Sequence, residues 1–130
     1  MVQIRRVYDA DGFDSGKRFL IDRIWPRGLR KEALKLDGWV KEVAPSSELR
    51  KWFGHDPEKW TQFQKRYRAE LDEHPSGWET LLENARGGDI TLLYGARDEQ
   101  HNNAVVLKDF LEAHLKVKSP QKKSKTIKKD

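Results

Sequence analysis

No cysteine occurs among the 130 residues, so neither a disulfide framework nor a cysteine-based metal site is available. No stretch approaches the roughly 18 consecutive apolar residues that a transmembrane helix needs. The opening residues, Met1-Val-Gln-Ile-Arg-Arg6, contain no signal-peptide apolar run. The expectation is a cytoplasmic protein with no membrane partner. The four histidines never fall in HxxxH or HExxH spacing, so no metal site is expected, and the sequence identifies no particular cofactor. Ser15, Ser46 and Ser47 lack the glycine-elbow context of a serine nucleophile.

What is abundant is charge, and it is unevenly spread. The chain carries a formal +5. Residues 116–130 hold seven lysines and one aspartate, a net +6, which leaves 19 basic and 20 acidic residues elsewhere, a net −1. The basic character is thus a property of the end segment. That segment has no apolar periodicity and reads as a disordered lysine-rich tail behind one domain, residues 1–115. Such a tail solubilises; the alternative is weak contact with nucleic acid. A body that reads duplex DNA through a broad electrostatic footprint is more often basic itself.

The patterning of the body predicts an α/β fold. Residues 3–8 and 17–24 read as strands, separated by the turn-forming run Asp9-Ala-Asp-Gly-Phe-Asp-Ser-Gly16. The second strand is nearly continuous in apolar residues, as in a parallel sheet buried on both faces. Residues 37–44 suggest a short helix capped by Asp37, and residues 48–53 a further turn ending at Gly54. Asp56 and Pro57 open the clearest helix, with Trp60, Phe63, Tyr67 and Leu71 on one face. Pro75 stops it, and Ser76-Gly-Trp-Glu79 has capping-box spacing for the next. Residues 90–94 form a third strand, and a last helix begins near Asn102 or Asn103. This order fits a small, mostly parallel sheet with helices packed on it in a single layered domain.

In open α/β sheets ligands bind beyond the carboxyl ends of the strands. Two segments stand there, Asp22-Arg-Ile-Trp-Pro-Arg-Gly28 and Tyr94-Gly-Ala-Arg-Asp98. If their strands are parallel neighbours, Arg23, Arg27 and Arg97 converge, with Asp22 and Asp98 close by. Guanidinium forks match phosphate and carboxylate, which points to an anionic small molecule such as a nucleotide. Trp25 or Trp52 offers a stacking face, Pro26 fixes the turn, and Gly28 lets backbone approach. The last helix adds an N-terminus favourable to negative charge. No Walker or dinucleotide glycine pattern is present. His55, with Asp22 beside it, is the acid/base candidate. His101 has less support. Two plainer readings stand alongside. The arginines and aspartates form a structural ion-pair network, and His55 sits in a tight helix–helix joint. A nucleic-acid accessory domain and a tryptophan-lined interaction module are the functional alternatives.

Four motifs in order carry a resemblance: Asp22-Arg-Ile-Trp-Pro-Arg-Gly28, Trp39-Val-Lys-Glu-Val-Ala-Pro-Ser46, Leu49-Arg-Lys-Trp-Phe-Gly-His-Asp56 and Leu93-Tyr-Gly-Ala-Arg-Asp98. Together they resemble the DUF488 family, YeaO-like branch, from the first strand to about Leu115. The resemblance implies a small single-domain α/β cytoplasmic protein of bacteria or archaea, with no established activity. Its recurring positions fall here on Asp22, Arg23, Trp25, Pro26, Arg27, Gly28, Trp52, Phe53, His55, Tyr94 and Arg97.

Overall fold

The structure, a computed structural model, describes residues 1–9 and 16–117. The turn-rich segment 10–15 and the tail from residue 118 onward lie outside the described residues. Four strands, β1 (Val2–Arg6), β2 (Lys17–Leu20), β3 (Gly38–Trp39) and β4 (Ile90–Tyr94), form one sheet in the order β1-β4-β2-β3. Every pairing is parallel. The central pair is therefore β4 and β2, with Phe19 opposite Leu92 and Leu20 opposite Leu93. This is the α/β fold expected from the sequence.

Strand alternation divides the core in two. Phe19 and Ile21, with Ile90, Leu92 and Tyr94, face a large core with the main helices. Leu20 and Leu93 face a smaller core with Val7, Leu34 and the partly buried Trp25 and Trp39. Helices α2 (Ser47–Phe53), α3 (Trp60–Glu73), α4 (Pro75–Gly87) and α5 (Asn103–Lys116) supply the larger core, through Phe53, Phe63, Tyr67, Leu81 and Leu107 among others. The four-residue α1 (Lys31–Leu34) supplies Leu34 to the smaller one. None of these helices is long and apolar enough to cross a membrane.

Several local expectations are corrected. Residues 37–44 do not form one helix. Gly38–Trp39 is a strand on β2, followed by a 3-10 turn at Lys41–Val43. Asp37 caps nothing helical; its carboxylate accepts a 2.8 Å bond from the Arg18 amide, and its own amide donates to Arg18 O. An eight-residue apolar pattern cannot by itself separate helix from strand, and the open edge of β2 supplied the partner that decided it. The second strand ends at Leu20 rather than at residue 24, and the first gives way to a 3-10 turn at Val7–Asp9. No capping box forms at Ser76. His74 is the N-cap of α4 and makes no side-chain cap bond, while Pro75 takes the first turn. The caps of α2 and α5 do form, from Ser46 to the Leu49 amide and from Asn102 to the Val105 amide.

A charged cleft at the carboxyl end of the sheet

Because β2 and β4 are parallel neighbours, the chain leaves both at the same edge. Ile21 continues the ladder for one bond, its amide donating to Leu93 O at 3.1 Å. Asp22 then turns in. Its Oδ2 accepts from the Gly95 amide at 2.8 Å, and its Oδ1 from Asn103 Nδ2 at 3.0 Å. One carboxylate thus ties the β2 exit to the β4 exit and to the first turn of α5. A Cβ on residue 95 would stand 3.2 Å from Asp22 Oδ2, so a side chain there would press on the carboxylate. Burial pushes the Asp22 carboxyl above the ordinary carboxylate range, and the bonds from Asn103 and Gly95 and the charge of Arg50 oppose that rise only in part.

Asp22 lies in a cleft of about 260 Å³. Its apolar wall comes from Phe53, Phe63, Ala44, Pro45, Ile24 and Ala96. Its charged and polar groups are Arg23, Arg50, His55 and His101, with Asn102 and Asn103 at the start of α5. Arg23 is held at the mouth by Nη2 contacts of 3.4 Å to the carbonyls of Ala44 and Pro45. Arg50 rides on α2, three residues before Phe53, so the same helix face delivers both. His55 follows the left-handed Gly54 and is itself left-handed, at φ 60°. Two such residues in a row swing the chain out of α2 and leave the imidazole exposed at the rim. His101 is oriented by Asp98, whose Oδ2 stands 2.9 Å from His101 Nδ1. The Asp98 carboxyl is held below its usual range by the amide of Gln100 and by the His101 ring.

Of the residues expected at a site, Asp22, Arg23 and His55 line this cleft, and Asp98 reaches it through His101. The convergence of three arginines is corrected. Arg27 and Arg97 are exposed and do not line the cleft. Trp25 lies on the other side of the sheet, edge-on to Trp39 at 5.3 Å, with Nε1 donating to Leu29 O. Gly28 adopts φ 82° with nothing within 4 Å of a notional Cβ, so it serves the turn and not a close approach. Trp52 is partly buried outside the cleft, with Arg66 at 4.2 Å and Lys59 at 5.2 Å from its ring centroid. Tyr94 is buried in the larger core, where desolvation raises its hydroxyl pKa. The proposed network of Asp22 and Arg23 with Arg97 and Asp98 does not form either; the Asp98 pair is with His101. Sequence reasoning missed Arg50. The signal was available in Leu49-Arg-Lys-Trp-Phe53, where Arg50 shares a helix face with Phe53.

Beneath Arg23, Tyr67 donates a short hydrogen bond to Val43 O. Ser46 binds Glu70 twice, amide to Oε1 at 2.8 Å and hydroxyl to Oε2 at 2.6 Å. These bonds fix the Ala44-Pro45 wall to α3. Among the described residues, no three His, Asp or Glu side chains gather so as to hold a metal ion.

An all-parallel open sheet with helices packed on it, and a charged cleft beyond its two central strands, defines a small single-domain α/β protein. Residues 1–127 match the family described as the inactive DUF488-N3 subclade, and the chain belongs to this DUF488 family. The match reaches into the lysine-rich segment, further than the four motifs extend. The chain is 43% identical to the uncharacterized protein YeaO of Escherichia coli K12 over 110 residues, covering 85% of this chain and 96% of YeaO. It is 40% identical to the uncharacterized protein Rv3073c of Mycobacterium tuberculosis H37Rv over 111 residues, 85% of this chain and 92% of that one. No solved structure matches the chain.

Proposed function

We propose that this protein binds a small phosphate- or carboxylate-bearing molecule in the cleft at the carboxyl ends of β2 and β4. The observation that carries the reading is the placing of Arg23, Arg50 and His55 around one opening, beside the N-terminus of α5. Guanidinium groups and a helix N-terminus both favour an anion. The apolar wall offers a surface for the uncharged part of such a molecule. The reading is one of binding without turnover. The description of the subclade as inactive supports that. A cytoplasmic location goes with it, since phosphorylated metabolites are held inside cells.

Thermal-shift titration tests the reading. A ligand at 100 times its Kd stabilises the folded state by about 2.7 kcal/mol. Phosphate monoesters should raise the Tm of the wild type, and Arg23→Ala and Arg50→Ala should each reduce the rise. A rise of equal size in both variants would place the anion elsewhere.

A second reading, contact with nucleic acid, is favoured by Trp52 on α2, which carries Arg66 and Lys59 over its half-buried ring. A cation–aromatic group of this kind, with the Arg66 guanidinium exposed over a half-buried ring, suits a phosphate backbone. Here oligonucleotide affinity should fall steeply with salt. Deleting residues 118–130 should weaken binding, and Trp52→Ala should weaken it further. Complete loss on deleting the tail alone would exclude the folded body as the reader.

A further inference from the structure

The cleft has a polarity that the anion-binding reading leaves unused. Its cationic groups are at the rim, where Arg23, Arg50 and His55 are all exposed. Its interior is apolar on the Phe53 and Phe63 side. Behind these exposed cations stands a half-buried carboxylate, Asp22, which makes no ion pair among the described residues. Each Asp22 oxygen accepts one hydrogen bond from the protein, through Gly95 and Asn103. A carboxylate has about four acceptor positions, so two remain. An anionic group pushed to this depth would meet Asp22 in a poorly screened environment and be repelled. At the rim the same group meets three cationic or titratable side chains. A ligand must therefore enter with its uncharged end first.

We propose that Asp22 is the specificity-determining residue of this cleft, selecting a compact phosphorylated aromatic ring whose buried edge carries an N–H donor. The ring fits between Phe53 and Phe63 on one side and the Gly95-Ala96 backbone on the other. The N–H donates to a free position on Asp22, and the phosphate stays at Arg23 and Arg50. The cleft volume of about 260 Å³ lies just under the range of roughly 300–1,000 Å³ for small-ligand sites, so one ring fills it. The donor also relieves a cost already present. Burial works against the charged form of Asp22, and a third hydrogen bond works for it.

The proposal rests on anion binding at the rim, and one set of probes separates the two. Isothermal titration calorimetry at pH 7.5 on the full chain would compare phenyl phosphate, 4-aminophenyl phosphate and 4-(dimethylamino)phenyl phosphate. The amino compound should bind about tenfold more tightly than phenyl phosphate, the size expected for one hydrogen bond to a charged group. The dimethylamino compound has no N–H and should gain nothing. In Asp22→Asn the preference should shrink to about twofold or less, while Arg23→Ala should weaken all three probes alike. Equal binding of the three probes to wild type would overturn the role of Asp22 and leave rim binding standing. Binding of none of them would overturn both. If Asp22→Asn does not fold, the dimethylamino probe decides alone, because it removes the donor from the ligand side.

Discussion

Asp22 combines partial burial, two protein hydrogen bonds and a raised pKa, and the sign of its effect on stability follows from that last property. Its folded-state pKa is above the unfolded one. As pH falls from neutrality through the folded value toward the ordinary carboxyl value of 3.8, the folded state takes up the proton first and gains stability relative to the unfolded chain. The stability difference between wild type and Asp22→Asn should therefore move in favour of wild type across that window. Urea denaturation at a series of pH values reads this, and a constant difference would remove the assignment. Gly16 offers a sharper local test. It sits at φ 80°, and a Cβ there would come within 1.8 Å of the Asp89 carbonyl oxygen. Gly16→Ala should cost more than about 2 kcal/mol, combining left-handed strain with a backbone clash. A midpoint unchanged in urea would contradict that packing.

At the scale of elements, the cleft is assembled by short pieces that depend on specific caps. Ser46 caps α2 and holds Glu70 of α3 at the same time. Ser46→Ala should therefore cost more than an ordinary cap, roughly 2 kcal/mol against the usual value near 1, and should loosen the Ala44-Pro45 wall. Denaturation midpoints of Ser46→Ala, Glu70→Gln and the double variant would form a cycle, and strict additivity would mean that the two groups do not act together. This is also the scale at which the sequence was partly legible. Strand order and the run Phe19-Leu20-Ile21 were enough to place Asp22 and Arg23 at the sheet edge beside Gly95. They were not enough to follow the chain afterwards. Past Ile24 it crosses to the other face, so Trp25 packs on Trp39 and Arg27 leaves the cleft. Nothing in residues 25–28 encodes that crossing, since β3, its packing partner, is itself a two-residue strand visible only through its pairing with β2. Arg50 was hidden for the opposite reason. It lies in a short turn read only as a connection ending at Gly54, and only the position of Phe53 sets it at the cleft rim.

At the scale of the whole molecule, the two faces of the sheet are unequally covered. Four helices bury the side with Phe19, Ile21, Leu92 and Tyr94, while a short helix and a loop cover Leu20 and Leu93. Stability should be graded accordingly. In amide hydrogen exchange, β4, paired on both sides, should open only with global unfolding, and the Asp37 and Val40 amides at β3 should exchange by local opening. Protection of β3 equal to that of Ile90–Tyr94 would argue instead for a single cooperative unit.

The contact between Trp60 and His101 has an optical consequence. The two rings meet edge to face at 5.2 Å, with His101 on the cleft wall and Trp60 at the head of α3. An imidazole that close to an indole alters its emission, most strongly when it carries a proton. Any occupant that shifts His101, or displaces water from it, will therefore change the Trp60 signal. Of the other tryptophans, Trp25 and Trp39 belong to the opposite face, Trp78 packs on Phe110, and Trp52 lies outside the cleft. The protein thus carries a built-in fluorescent gauge of its own cleft, readable without a label.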